Sequence, residues 1–146
     1  MDQEKYIKTR LDDQIKWYNK KSKCNQIWYK IIRIIEITLA GSIPLIIGIK
    51  PFSENLQNPI LAIIGFVLVT MAGIIGLYDF QENWIKYRTT CESLKHNKYL
   101  FLSKAEPYNI DTSYQLLVSN VESLISMENS NWSLSKMKKI KKKKGD

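Results

Sequence analysis

Two long apolar runs dominate the hydropathy pattern of the chain, at 34–49 and 59–78. The second run has no charged residue in its 20 positions, and as a helix it spans about 30 Å, the thickness of a bilayer's hydrocarbon core. The first run is shorter, about 24 Å as a helix, and reaches both interfaces if Arg33 extends towards the headgroups at one end. The polar link 50–58 is too short to hold a folded domain, so the pattern predicts an antiparallel transmembrane hairpin.

Helical periodicity continues outward from both runs. A row of mainly apolar and aromatic residues with 4-3 spacing begins at Leu11, and no Gly or Pro interrupts the first forty residues. After the second run the same spacing resumes without a break from Phe80. The pattern therefore predicts helical stalks at about 5–33 and 79–104, which pair through an aromatic seam. The predicted seam residues are Trp17, Tyr18, Trp84, Tyr87, Arg88 and Glu92.

The remainder of the chain predicts one more helix and a tail. Pro107 ends the second stalk, because proline disfavours a helical residue ahead of it. Thr112 and Gln115 form a capping-box pattern before an amphipathic helix at about 112–128, which we expect to pack on the stalks. The lysine-rich segment 129–146 predicts a disordered tail. The predicted fold class is thus an all-α membrane protein, with one two-transmembrane domain at 1–128.

The charge distribution predicts the topology. Of the 22 Lys and Arg residues, nine lie in 1–33, one in the link and 12 after Tyr78. By the positive-inside rule, both termini and both stalks are expected in the cytoplasm. The lysine tail carries most of the net charge of +8, and we expect it to contact anionic lipid. Its lipid-contacting residues are predicted to be Lys141, Lys142, Lys143 and Lys144.

A few polar residues in or beside the apolar runs are candidate functional residues. Arg33 and Glu36 lie three apart on one helix, so they form a local ion pair, or Glu36 faces a water-filled space between subunits. Thr70 either bonds back to a backbone carbonyl or lines a pore, and Ser42 is the corresponding candidate in the first run. Pro44 predicts a kink near the middle of the bilayer and is a candidate hinge.

Small residues form a face on each predicted transmembrane helix. In lipid, close approach over such residues is what allows helices to associate. Two alternatives are open. Either these faces serve only the contact inside the hairpin, or they also serve the packing of one subunit on another. The residues are Gly41 and Gly48 in the first run, and Gly65, Ala72 and Gly76 in the second.

The sequence contains no motif for catalysis, for a cofactor or for a metal. It has no glycine-rich phosphate loop, no nucleophile elbow and no His-Glu-x-x-His motif. Cys24 and Cys91 are both expected in the cytoplasm and reduced, and with His96 as the single histidine they make no metal site. An enzyme is not expected. No DNA- or RNA-binding motif is present, so nucleic acid is not an expected partner either.

Two segments carry a resemblance to a known family. Leu-x-x-Gln-x-x-Trp-Tyr at 11–18 and Trp-x-x-Tyr-Arg-x-x-x-Glu-x-Leu-Lys at 84–95 flank the hairpin. This arrangement resembles the SLATT family of bacterial two-transmembrane effector domains over roughly 5–125. The resemblance implies a role in antiphage or other conflict systems, in which a nucleotide second messenger or a sensor triggers pore formation and kills or arrests the host. This chain shows no fused sensor, so a ligand or a separate protein is the expected trigger.

Three functional hypotheses follow. Two helices cannot enclose a polar conduit, so the first hypothesis is a homo-oligomeric pore-forming effector. The second is a non-conducting membrane-anchored scaffold or sensor that recruits a cytoplasmic partner through its stalks. The third is a holin-like lysis protein, against which the long stalks argue.

Overall fold

All regular structure in the described part of the chain is helical, as the sequence predicts. The computed structural model describes residues 2–49 and 51–143, without the side chains of 54, 129 and 131–143. It contains α1 (Gln3–Tyr6), a π-helical turn (Ile7–Leu11), α2 (Asp12–Ile49), α3 (Glu54–Tyr78), α4 (Phe80–Leu102) and α5 (Ser113–Lys143).

The chain divides into two compact units. The first comprises Met1–Ser22 and Ile85–Asp146, and we call it the bundle unit. The second comprises Lys23–Trp84, and we call it the hairpin unit.

The bundle unit has a closed apolar core. It is made where apolar rows of the π-helical turn and the start of α2, of α4 and of α5 meet, and Leu11, Leu94 and Leu117 are each 0% exposed there. Burying a side chain of this size stabilises the folded state by about 2 kcal/mol, so the three rows hold the helices together. The core residues are Tyr6, Leu11, Tyr18, Cys91, Leu94, Phe101, Tyr108, Leu117, Val121 and Ile125.

The hairpin unit has no buried residue among its described positions. Its two apolar helices face each other through half-buried rows and expose the rest of their surface. Within the described residues, two helices are long and apolar enough to cross a membrane, and none of their apolar windows is buried inside the chain. The half-buried rows are Ile32, Glu36, Leu39, Ile43 and Ile46 on α2, and Gln57, Ile60, Ile64, Val67, Met71 and Ile75 on α3.

The predicted unbroken passage from the second run into its stalk needs correction, because the helix is interrupted at Asp79. This residue has φ 50° and ψ 39°, in the left-handed region, which Asp tolerates better than most residues since its short side chain can bond locally. The Asp79 N–H donates to the Ile75 carbonyl at 3.2 Å, and Asn83 Nδ2 donates to the Tyr78 carbonyl at 3.0 Å. The carbonyls released at the helix end are therefore satisfied locally.

The last helix is longer than predicted. It begins at Ser113, directly after the predicted cap Thr112, and continues to Lys143 instead of ending near 128. No Gly or Pro lies in this stretch to stop it. The side chains of Lys141, Lys142 and Lys143, and all of Lys144, lie outside the described residues, so their contact with lipid stays a prediction.

Candidate functional site

The charged pair of the hairpin unit forms a short contact within α2. Arg33 Nη1 donates to Glu36 Oε2 at 2.7 Å. The Glu36 side chain, on the row that faces α3, is 21% exposed, whereas that of Arg33 is 47% exposed and lies to the side. The Arg33 guanidinium also stands over the Tyr29 ring, 5.9 Å from its centroid. Within a single chain this is the local ion pair, and a water-filled space between subunits stays a prediction.

The hydroxyl groups of the apolar runs bond to their own helices. Ser42 Oγ donates to the Leu39 carbonyl at 2.7 Å, and Thr70 Oγ1 donates to the Phe66 carbonyl at 2.9 Å. Such back-bonding satisfies a hydroxyl without a partner from another helix. Pro44 lies inside α2, and its role as a hinge stays a prediction.

The glycines of the small faces have open space beside them. A Cβ atom added at any of the described glycines of the two helices would meet nothing within 4 Å outside its own stretch of helix. The half-buried rows consist mostly of large apolar side chains. Open space leaves room for another helix, and whether the small faces serve the hairpin alone or also the packing of subunits stays a prediction. The residues concerned are Gly41, Gly48, Gly65 and Gly76, with Ala72 exposed beside them.

The predicted seam residues of the bundle unit form an aromatic cluster. The Trp17 ring makes an edge contact with Tyr87 at 5.8 Å between centroids, and Tyr18 lies 6.1 Å from Tyr87. The Tyr18 hydroxyl donates to a Glu128 carboxylate oxygen at 3.3 Å. Burial, followed by the negative charge of Glu128, raises the pKa of Tyr18 to about 12, so this phenol remains a neutral donor. Trp84, also predicted for the seam, belongs to the hairpin unit and is half-buried.

Arg88 and Glu92, also predicted for the seam, lie on the surface of the bundle unit. They form an ion pair at 3.0 Å, and Lys95 Nζ contacts the same carboxylate at 3.1 Å. They line an open groove of about 570 Å³. The groove is otherwise lined by Thr89, Ser93, His96, Asn97 and Leu124.

A polar cluster that the sequence did not reveal ties α5 to the start of the chain. Arg10 donates to both oxygens of Glu122, at 3.1 and 3.0 Å, and the Tyr6 hydroxyl donates to the same carboxylate at 3.1 Å. The Arg10 hydrogen bond is the main reason that the pKa of Glu122 is lowered. More than one hundred residues separate the partners, so no short-range spacing could have signalled them.

A second contact that the sequence did not reveal fixes the loop between α4 and α5. Tyr108 is 2% exposed, and its hydroxyl donates to Asn97 Oδ1 and accepts from Asn120 Nδ2 at 2.9 Å. Because both amides belong to helices of the bundle unit, the loop is fastened to its core. A lone tyrosine after a proline gives no periodic signal.

The cysteines and the histidine stay apart. Cys24 is exposed and Cys91 is buried, and both are free thiols. Cys91 Sγ donates to the Ile15 carbonyl at 3.5 Å, and burial raises its pKa, which makes the thiol a poor nucleophile. Among the described residues, no three His, Cys, Asp or Glu side chains converge in a way that could hold a metal ion.

Comparison with known proteins places the chain in a family. No curated protein and no solved structure matches it. A family model described as "Protein of unknown function (DUF4231)" matches residues 13–115, a range that covers α3 and α4, most of α2 and the first residues of α5. Since this match spans most of the 146 residues, the chain belongs to the DUF4231 family.

Proposed function

We propose that this chain is an oligomeric membrane effector that forms a pore in, or disrupts, the bacterial inner membrane, with both termini in the cytoplasm. The observation that carries the proposal is the contrast between its units, since the bundle unit has a closed core and no described residue of the hairpin unit is buried. Exposed apolar surface costs about 25 cal/mol per Å² in water. A bilayer removes this cost, and helices with internally satisfied backbones are suited to it.

The free small faces support an oligomer. A single hairpin offers two helices, which cannot surround a polar path, so permeation needs several copies. Gly65, Ala72 and Gly76 line one face of α3, on which Ala72 and Gly76 are exposed and a Cβ atom added at either glycine would meet open space. In lipid, where apolar side chains gain nothing from leaving the solvent, close backbone approach over small residues favours association.

The defence role rests on the resemblance of the flanking segments to the SLATT family. In this proposal the trigger is a nucleotide second messenger or a separate sensor protein that acts on the bundle unit. The groove beside Arg88 and His96 offers a place for it, since it is open and holds both charged and polar side chains. The lysine tail, on the same proposal, rests on anionic lipid.

A second candidate is a non-conducting scaffold that recruits a partner to the membrane. The observation that favours it is the exposure of large apolar side chains on the bundle unit, where Tyr99 is 65%, Leu102 57% and Ile110 50% exposed. Exposed apolar groups that lie close together are typical of protein interfaces. The two candidates differ in conductance, which only the effector has.

Induced expression in bacteria loaded with a voltage-sensitive dye tests the effector proposal. Wild-type protein, with its trigger supplied where one is needed, should collapse the membrane potential and halt growth. Gly76→Ile should reduce this effect, because a branched side chain separates backbones that approach over the small face. Leu77→Ile is the matched control, since Leu77 is 68% exposed on another face of the same helix, and it should depolarise the cells like wild type.

Two outcomes would count against the proposal. An intact membrane potential after triggering of well-expressed wild-type protein would favour the scaffold. Equal loss of activity in Gly76→Ile and Leu77→Ile would remove the assembly role of the small face and point to general loss of packing.

A further inference from the structure

The two helices of the hairpin unit lie in a fixed register. Gln57 Nε2 donates to the Ile46 carbonyl at 3.5 Å, and only four residues separate the end of α2 from the start of α3. We extend this register along both helices as in a regular antiparallel pair, and it places each half-buried residue of the α2 row beside a half-buried residue of the α3 row. The pairs derived in this way are Ile46 with Gln57, Ile43 with Ile60, Leu39 with Ile64, Glu36 with Val67, and Ile32 with Met71.

In this register the two apolar runs do not lie at the same position along the hairpin axis. The uncharged part of α2, 37–49, lies beside 54–66 of α3. The remaining apolar part of α3, 67–78, therefore lies beside 25–36 of α2, which contains Lys30, Arg33 and Glu36. The charged pair thus stands level with the middle of the uncharged run 59–78, although the α2 sequence alone suggests that it lies at an interface.

We infer that the Arg33–Glu36 pair lies inside the bilayer, near the middle of the α3 span, and that a second copy of this chain covers it. The inference rests on the membrane insertion that the proposed function contains, and it does not require conduction. Its first support is cost. An ionised group at membrane depth that does not face protein or water is strongly unfavourable, and 47% of the Arg33 side chain is exposed in the single chain.

Copies inserted in the same orientation present identical residues at identical depth. Arg33 of one copy then lies about 5 Å in depth from Glu36 of the next, one helical turn or less. Each charge can therefore find its opposite across the contact, which supports a second copy over lipid as the occupant of this face.

The small face of α3 supports the same occupant. On α2, Arg33 is turned about 100° from the row that faces α3, and on α3 the small face is turned about as far from the row that faces α2. Because the helices are antiparallel, these two rotations carry Arg33 and the small face to the same side of the hairpin. Ala72, which is almost level with Arg33, is small and exposed there, so a second backbone can approach the guanidinium closely.

Depth measurements test the first half of the inference. Spin labels at Val69→Cys and Ile74→Cys, in a Cys24→Ser background with Cys91 left buried, would be compared for collision with oxygen and with a water-soluble nickel complex in liposomes. If the Arg33–Glu36 pair lies inside the bilayer, both labels are accessible to oxygen and shielded from nickel. If the bilayer instead ends near Arg33, the Ile74→Cys label lies about 6 Å beyond the level of Arg33 and is exposed to nickel, which would overturn the inference.

Charge reversal tests the second half. Arg33→Glu gives each copy two negative charges and Glu36→Arg gives two positive charges, so either variant alone should self-associate about tenfold more weakly than wild type. Co-expressed with different affinity tags, the two variants should co-purify as mixed oligomers at close to the wild-type level. The double variant Arg33→Glu with Glu36→Arg retains an ion pair within each copy and serves as the insertion control, with wild-type association.

The outcomes separate the inference from the proposed function. If mixing the two variants restores no association, or if each variant alone associates like wild type, the pair is not covered by a second copy and the inference fails. If depth and mixed association are as expected but triggered cells keep their potential, the pore proposal fails and the inference stands. A Val69 label that is exposed to nickel would overturn the inference alone, because Val69 lies about 1.5 Å from the level of Arg33.

Discussion

The two units of the chain are built from the same kind of helix, but the bundle unit buries its apolar side chains and the hairpin unit exposes them. In the bundle unit, apolar rows turn inward onto a core, and polar groups such as Glu122 and Asp12 pair with residues of distant helices. In the hairpin unit, no described residue is buried, and Thr38, Ser42 and Thr70 bond only to their own helices.

On the proposed function, this difference follows from the solvent of each unit, which is water for the bundle unit and lipid for the hairpin unit. A water-soluble unit exposes polar side chains and draws its stability from apolar area removed from water. A unit in lipid gains no stability from removing apolar area from water, and it must satisfy its polar groups internally. Substitutions of one chemical type should therefore have opposite consequences in the two units.

The largest expected difference concerns a leucine shortened to alanine. Leu117→Ala leaves a cavity in the core of the bundle unit, where Leu117 is 0% exposed, and should cost about 4 kcal/mol. The midpoint of thermal unfolding in non-ionic detergent, followed by near-UV circular dichroism, should fall by about 20 °C. Leu77→Ala, at a position that is 68% exposed, is the control and should leave the midpoint almost unchanged. Equal losses would mean that the hairpin has a core of its own.

A change from an exposed apolar residue to arginine should affect the hairpin unit and leave the bundle unit almost unchanged. Val69 is 75% exposed on α3, and Val69→Arg should oppose membrane insertion by about 3 kcal/mol. The amount of protein in the washed membrane fraction should drop accordingly. Ile85→Arg, at a position that is 50% exposed in the bundle unit, provides the comparison and should change neither insertion nor stability. Normal insertion of Val69→Arg would indicate that this face of α3 is not in contact with lipid.

Periodicity in the sequence predicted most of the core of the bundle unit. The rows that begin at Leu11 and Phe80 and the predicted amphipathic helix supply buried residues such as Tyr18, Cys91 and Leu117, because helical spacing is a local property that a sequence displays directly. The all-helical fold and the two apolar helices were predicted for the same reason. Tyr108 was missed, since it lies in a loop where burial depends on the distant amides of Asn97 and Asn120.

Two features of the hairpin unit needed the structure. The break at Asp79 was missed because aspartate, unlike glycine, is only a weak signal for a left-handed residue. The depth that we infer for Arg33 and Glu36 differs from the one that the first apolar run suggests alone, because the inference uses the register of two helices. The ion pair itself was one of the two predicted alternatives, since it depends on spacing within one helix.

The smallest expected effect concerns Glu122, whose contribution to the stability of the bundle unit should depend on pH. The hydrogen bond from Arg10, which outweighs the opposing effect of burial, holds the pKa of Glu122 below the ordinary 4.5. A carboxyl whose pKa is depressed by folding contributes stability above its unfolded pKa and loses it as the pH falls through the folded value. Glu122→Gln should therefore destabilise the bundle unit at neutral pH, and the deficit should shrink and vanish as the pH drops below 4.5.

The size of this effect follows from exposure. The Glu122 side chain is 42% exposed, so solvent screens the pair and the loss at neutral pH should be about 1 kcal/mol, or about 5 °C in the unfolding midpoint. Glu92→Gln is the matched control, because Glu92 is similarly exposed but pairs within its own helix, and it should cost about 0.4 kcal/mol. The measurement is the thermal unfolding midpoint of wild type, Glu122→Gln and Glu92→Gln at a series of pH values from acid to neutral. A deficit in Glu122→Gln that stays constant with pH would mean that the residue acts through packing, and that pairing across helices does not distinguish the bundle unit from the hairpin unit.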